Sequence, residues 1–123
     1  MSPEVLQPIV IDTNRMDWEE RPREAVHASS YRKKLYEDPE TGMNFHVRKY
    51  PAGFMVTTHV HQCSHGLYVL SGHLKTNTGV YGPGTLIWYP EGIVAEHGAT
   101  DTEDVVCLFI NNKPFQITYL DEE

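Results

Sequence analysis

Histidines are concentrated in one short stretch of this sequence. His59, His61 and His65 fall within seven residues with Cys63 among them, and an apolar run, 67–70, follows at once. On a β-strand, residues two apart point to the same face, and their Cα atoms lie roughly 6.6–6.8 Å apart. Two imidazoles at that spacing can both reach one ion at nitrogen–metal distances of about 2.0–2.1 Å. The pair His59 and His61 therefore predicts a metal chelate carried by a strand.

Further ligands must come from other segments of the chain. His65 follows a short turn, and the start of an adjacent antiparallel strand would face the pair about 4.8 Å away. His97 is the distant candidate, between a "PEG" turn and the letters "GAT". Cys63 is interpreted as a turn residue. If it were instead a thiolate ligand, it would indicate a closed His/Cys zinc site. The other histidines are interpreted as surface groups or hydrogen-bonded core groups: His27, His46 and His73.

The elements that position these residues are short and extended. Segment 18–28 is the best helix candidate, but it contains Pro22 and has a poor apolar stripe, so we predict a loop or one short turn. Turns rich in glycine and proline separate the remaining apolar or alternating segments. Many short strands at such spacing are typical of a β-sandwich or barrel. The predicted strands lie near residues 5–11, 32–36, 44–50, 54–61, 66–71, 73–77, 80–81, 85–88, 105–110 and 115–120.

Length and charge limit the classes of function. The 123 residues fit one domain, and the net charge of −7 argues against a nucleic-acid partner, because non-specific affinity for phosphates comes from Lys and Arg. The one basic cluster, 32–34, is interpreted as a solvated strand edge. Two cysteines are too few for a disulfide scaffold, and no apolar run approaches 18 residues. We therefore expect a cytoplasmic protein that binds neither nucleic acid nor membranes.

The histidine stretch resembles the first motif of the cupin superfamily. That motif has a glycine, an HxH pair, a glutamate and a second glycine, and here Gly53, His59, His61 and Gly72 are in register. The departure is His65, which occupies the glutamate position. The resemblance implies an all-β, single-domain cupin, a double-stranded β-helix or jelly-roll barrel. It would span 1–123, with an N-terminal extension, 1–30, that contributes an edge strand, and a barrel core at 36–110.

A later segment resembles the second cupin motif. Gly84 is followed by Pro90-x-Gly92 and then by His97, two residues beyond the usual histidine position. A shift of two residues along a strand leaves the side chain on the same face of the sheet. A closer likeness is to the acetylacetone-cleaving, ChrR-related cupin dioxygenases, through the "PETG" and "PAG" turns, the HxH pair and the "HGAT" letters at 97–100.

The resemblance implies one divalent transition metal ion held by His59, His61 and His97. His65 would be a fourth ligand or would lie beside the metal. Iron is favoured, and zinc, nickel or manganese is possible, because imidazole suits several of these ions. Neutral imidazoles leave the charge of the ion uncompensated, which favours an anionic substrate such as an enolate or carboxylate.

A general base and a pocket wall complete the predicted site. Glu91 is preferred as the base over Glu96, which is out of parity with His97 on an extended segment. Alternation along the strands predicts an apolar wall, as small-molecule sites usually have. The predicted wall residues are Phe54, Tyr68, Trp88 and Phe109.

Three functions remain open from the sequence. The preferred one is a mononuclear metal-dependent dioxygenase that cleaves a small enolisable substrate, diketone-like or aromatic. The second is a metal-dependent lyase or isomerase that uses no oxygen. The third is a non-enzymatic cupin that binds a small ligand. By likeness to other cupins, we also expect a homodimer.

Overall fold

The chain folds almost entirely into β-strands. The computed structural model describes residues 6–114 and 117–119, and within them it contains eleven strands and two short 3₁₀ turns, Thr13–Arg15 and Glu24–Val26. The strands are β1 (Glu19–Arg23), β2 (Ala28–Glu37), β3 (Asn44–Tyr50), β4 (Met55–His61), β5 (His65–Ser71), β6 (Leu74–Thr76), β7 (Val80–Tyr81), β8 (Leu86–Tyr89), β9 (Val94–Ala99), β10 (Val105–Asn111) and β11 (Ile117–Tyr119). No helix among these residues is long and apolar enough to cross a membrane.

Two antiparallel sheets face each other. One has six strands in the order β1-β2-β3-β10-β5-β8, and the other has five in the order β11-β4-β9-β6-β7. Strand alternation directs one face of each sheet inward. The six-stranded sheet contributes Tyr50, Leu67 and Phe109 to the core, and the five-stranded sheet contributes Val56 and Leu74. The predicted all-β, single-domain architecture is confirmed.

A β-bulge in β4 determines which of its side chains face the core. Val56 pairs with His97, whereas His59 pairs with Ala95, so β4 carries one extra residue between the two pairs. A bulge of this kind reverses the alternation of inward and outward side chains. Val56 before the bulge and both His59 and His61 after it are consequently buried. Without the extra residue, strict alternation along a strand that buries Val56 would direct both histidines outward.

The N-terminal part differs from the prediction. The strand expected at 5–11 is wrong, because residues 6–11 form no strand and are exposed, while residue 5 lies outside the described residues. The segment 18–28, predicted as a loop or one short turn, contains the 3₁₀ turn Glu24–Val26 and also β1, in which Pro22 pairs with Ser29. Proline lacks the N–H needed for an interior strand, but it is tolerated in an edge strand such as β1. β1 therefore forms one edge of the six-stranded sheet.

Other strand predictions agree more closely with the structure. From residue 44 to 111 the predicted strands match to within one residue at each end, except that β9 was not predicted as a strand. The interpretation of 32–34 as a sheet edge is wrong, because β2 lies between β1 and β3. Of the strand predicted at 115–120, the structure describes β11, and residues 115, 116 and 120 lie outside the described part.

Two motif glycines are expected to differ in their tolerance of a side chain. Gly72 has φ 75° and Gly84 has φ 88°, a left-handed backbone that costs other residues about 1–2 kcal/mol. A Cβ at Gly72 would also overlap the backbone carbonyl of Asp104, whereas a Cβ at Gly84 would meet nothing within 4 Å. Overpacking adds about 1–3 kcal/mol. Urea unfolding should therefore show a clearly larger loss of stability for Gly72→Ala than for Gly84→Ala, and equal losses would contradict this packing.

Candidate metal centre

Three histidines of the five-stranded sheet converge inside the barrel. His59 and His61 lie on β4, His97 lies on the neighbouring β9, and all three are buried. The ring centre of His59 is 4.8 Å from that of His61 and 4.8 Å from that of His97. Each ring offers a nitrogen, and these nitrogens lie within 4.8 Å of one another. The structure thus brings together the three residues proposed to hold a metal, on adjacent strands of one sheet.

His65 approaches the cluster from the opposite sheet. It begins β5, and the expected pairing of β4 with β5 is wrong because the two strands belong to different sheets. The His65 ring stacks on His61 with centres 3.8 Å apart, and on Tyr89 with centres 4.9 Å apart. Its centre is 6.4 Å from that of His97. His65 therefore lies against one side of the three-histidine cluster.

Hydrogen bonds orient two of the three rings. His59 Nδ1 lies 2.7 Å from the carbonyl oxygen of Thr57, so its N–H donates there and the lone pair is on Nε2. His97 Nδ1 lies 3.2 Å from the hydroxyl of Tyr50. The Nε2 atoms of His59 and His97 are buried and have no hydrogen-bond partner among the described residues. Such an unpaired buried atom costs about 1–3 kcal/mol, and a bound metal would relieve that cost.

Burial keeps the imidazoles of the cluster uncharged. It lowers the pKa of His61 to about 2 and that of His65 to about 4, and neighbouring imidazoles lower both further. Burial likewise lowers the pKa of His59, and it lowers the pKa of His97 well below its usual value. A metal binds the neutral form of imidazole, so these residues need not lose a proton to bind an ion near pH 7. The cluster could hold a divalent transition metal ion.

Cys63 lies in the turn between β4 and β5. Its side chain is buried, and its Sγ is 3.7 Å from Oδ1 of Asn111. Its sulfur also lies within reach of ring nitrogens of His61 and His65, and these three form a second group of possible ligands. This position agrees with the interpretation of Cys63 as a turn residue. The second group of possible ligands also places its sulfur where a thiolate could act as a ligand.

Glu91 is not among the residues of the cluster. It lies in the turn between β8 and β9, where its exposed carboxylate pairs with Lys113. Its backbone N–H donates to Ser64 Oγ at 3.2 Å. An assignment of Glu91 as general base therefore lacks support in the geometry. Glu96 accepts a hydrogen bond from the Thr58 hydroxyl at 3.1 Å.

A cavity of about 390 Å³ leads to the histidines. Of the four predicted wall residues, Phe54 and Phe109 line it. Tyr68 and Trp88 do not, because they lie on the outer face of the six-stranded sheet, 39% and 50% exposed. On β5 the inward positions belong to His65, Leu67 and Val69, so Tyr68 points outward.

Sequence reasoning missed the polar residues of the cavity wall, two of which lie on β3. Tyr50 and Arg48 line the cavity from β3. Both share the inward face of that strand with His46, which is buried and packs on Phe109 at 4.7 Å between ring centres. Both residues could have been predicted from the spacing of two between polar side chains on β3, a strand that has another strand on each side.

Fold and site together define a cupin, a two-sheet β-barrel with buried histidines directed inward. The family model for the ChrR cupin-like domain matches residues 6–116, so the chain belongs to that family. No curated protein sequence shows a significant match to this chain.

Several solved structures share the fold at low sequence identity. A "putative acetylacetone dioxygenase" from Methylibium petroleiphilum is 17% identical, with a TM-score of 0.78 over 100% of this chain and 89% of that one. The polyketide cyclase RemF from Streptomyces resistomycificus is 14% identical, with a TM-score of 0.75 over 95% and 88%. ChrR, in the complex of Rhodobacter sphaeroides SigE with this anti-sigma protein, is matched at 20% identity and a TM-score of 0.64, over 80% of this chain and 53% of that one.

Proposed function

We propose that this protein is a mononuclear metal-dependent dioxygenase acting on a small enolisable compound, diketone-like or aromatic. The observation that carries the proposal is the convergence of His59, His61 and His97 beside a cavity of about 390 Å³. A cavity of that size suits a small molecule. Iron is the favoured ion, because imidazole ligands suit it and it supports chemistry with oxygen.

The protein's own residues would position the reacting groups. When bound, a divalent metal supplies Lewis-acid and redox chemistry at His59, His61 and His97. The carbonyl of Thr57 and the hydroxyl of Tyr50 hold two of these rings in place. The aromatic part of the cavity wall, Tyr50, Phe54 and Phe109, would shield a bound enolate from water and strengthen electrostatic interactions with it.

The comparisons support the same class of substrate. The Methylibium petroleiphilum structure carries a name that refers to acetylacetone, a small β-diketone, and this chain covers most of that structure. The likeness extends over both motifs that hold the histidines. A β-diketone is therefore the first compound to test.

A second candidate is a metal-dependent isomerase, lyase or cyclase that uses no oxygen. It is favoured by the fourth imidazole, His65, which stands where the cupin motif has glutamate, and by the similarity to a polyketide cyclase. An all-imidazole ligand set also suits zinc, which has no redox chemistry. Consumption of oxygen separates the two candidates.

Oxygen uptake should follow the metal and the diketone together. Protein loaded with ferrous iron is expected to consume one equivalent of O₂ for each acetylacetone lost, measured with an oxygen electrode and by the absorbance of the diketone. The zinc-loaded protein and a chelator-treated sample should consume none, because the reaction needs a redox-active ion. Equal uptake after chelation would contradict the proposal, and loss of diketone without oxygen would favour the second candidate.

A further inference from the structure

Positive charge is concentrated on one wall of the cavity. The chain is acidic, with 17 Asp and Glu against 10 Lys and Arg. Even so, four of its five arginines line the cavity that reaches His61 and His97. They lie on β1, β2 and β3, which extend the six-stranded sheet on one side. The four are Arg21, Arg23, Arg32 and Arg48.

Three of these arginines have clear partners within the protein. Arg32 makes two hydrogen bonds to the Glu19 carboxylate, at 3.0 and 3.1 Å. Arg21 contacts the same carboxylate at 3.5 Å. Arg23 donates to the Thr57 hydroxyl at 3.0 Å and lies over the Tyr119 ring. Their positions are explained by these contacts.

Arg48 differs from them because no carboxylate balances its charge among residues 6–114 and 117–119. One terminal nitrogen donates to Ser30 Oγ at 3.1 Å, and the other lies 3.5 Å from Nε2 of His46. The His46 ring supplies no counter-charge, because an imidazole is either neutral or positively charged. The Nε of Arg48 is buried and has no hydrogen-bond partner among the same residues.

A half-buried guanidinium without a counter-charge is costly in a folded protein, because its charge is partly removed from water. The cost is offset when a ligand brings an anionic group to the same place. Arg48 Cζ lies 5.8 Å from the centre of the Phe109 ring, and the His97 ring centre lies 5.9 Å from it. Because Arg48 also lines the same cavity as His61 and His97, one small molecule there can reach both the guanidinium and the histidine cluster.

We propose that Arg48 binds a carboxylate of the substrate, so that the cavity takes a small enolisable carboxylic acid. The planar guanidinium matches the geometry of a carboxylate, and Ser30 keeps it in position. A single guanidinium balances the single charge of a carboxylate. The inference that the substrate is enolisable rests on the proposed function, whereas the inference that it carries a carboxylate rests on Arg48 alone.

Two matched β-diketones test this assignment. Acetylacetone and 2,4-dioxopentanoate differ in that a carboxylate replaces one terminal methyl group. Zinc-loaded, full-length protein avoids turnover, and binding is measured by isothermal titration calorimetry. The wild type should bind the acid at least 10-fold more tightly than acetylacetone. Arg48→Gln should weaken binding of the acid at least 10-fold and leave acetylacetone unchanged.

A control arginine isolates the effect of position from that of charge. Arg15→Gln removes the same charge from a side chain that is 88% exposed and absent from the cavity wall, and it should bind both compounds as the wild type does. Without ligand, Arg48→Gln should melt at the same or a higher temperature, because it removes an unbalanced charge that is half-buried. A lower melting temperature together with weaker binding of both diketones would show a structural role and overturn the proposal.

A third probe separates this inference from the proposed function. Succinate carries carboxylates but is not a diketone. Arg48-dependent binding of succinate with no binding of either diketone would contradict the proposed diketone substrate and support the Arg48 site. If both diketones bind equally and Arg48→Gln changes neither, the Arg48 site is overturned and the proposed function stands. Tighter binding of inorganic phosphate than of succinate would overturn the choice of carboxylate.

Discussion

Replacing His97 by alanine is expected to abolish stable metal binding. The wild-type protein, purified without a nickel column, should contain about one equivalent of a divalent transition metal. His97→Ala should contain less than about a tenth of that, because two imidazoles of β4 would remain without the ligand from β9. Loss of a residue that merely supports a ligand already costs roughly 10–100-fold in affinity, and loss of the ligand itself should cost more. Elemental analysis and metal titration measure both quantities.

Other histidine variants show whether the effect is specific. His59→Ala should behave like His97→Ala. His73→Ala should keep full occupancy, because His73 is exposed and pairs with Glu103 instead. His65→Ala should reduce affinity less than His97→Ala, since His65 lies beside the three-histidine cluster, and His65→Glu should change affinity by introducing a carboxylate there. Full metal content in both His59→Ala and His97→Ala would refute the metal site.

The metal-free protein is expected to lose stability steeply as the pH falls below 6.5. Burial lowers the pKa of His46, His61 and His65 far below 6.5, to about 2, 2 and 4. Below pH 6.5 the unfolded chain binds protons that the folded chain excludes, so stability is present above that pH and is lost as the pH falls. Each histidine should cost slightly more than about 1 kcal/mol between pH 7 and 5.5, so the three together should cost about 3–4 kcal/mol.

Urea unfolding of metal-free protein across this pH range measures the loss. Carboxylates are largely ionised above pH 5, so histidines dominate the window. His46→Phe supplies the control, because His46 lies outside the metal cluster and packs against Phe109. The free energy of unfolding of this variant should fall less between pH 7 and 5.5, by about the contribution of one histidine. A free energy of unfolding that stays constant from pH 7 to 5.5 would show that the rings are not held neutral.

The strand-borne histidine pair could be predicted because its information is local. A spacing of two places His59 and His61 on one face of any strand, and the flanking glycines place that strand in a known motif. The bulge that directs this face inward depends on pairing with β9, which is far away in the sequence. The sequence therefore indicated which residues share a face, and the sheet determined which way that face points.

Topology accounts for the errors around His65 and the N-terminus. His65 follows β4 closely in the sequence, yet β5 joins the opposite sheet, and no local pattern distinguishes that crossing from a hairpin. At the N-terminus, Pro22 suggested a loop, but β1 is an edge strand, and an edge strand can contain a proline because the missing N–H is not needed by a second neighbour. The apolar residues at 6–11 suggested a strand, but no neighbouring strand pairs with them in the described part of the chain.

Buried imidazoles from β4 and β9 are proposed to bind one metal ion. An anomalous difference map from crystals of the metal-loaded protein would locate that ion. We expect one peak, about 2.0–2.2 Å from nitrogens of His59, His61 and His97. A peak elsewhere in the protein, or three unliganded rings with no peak between them, would contradict it.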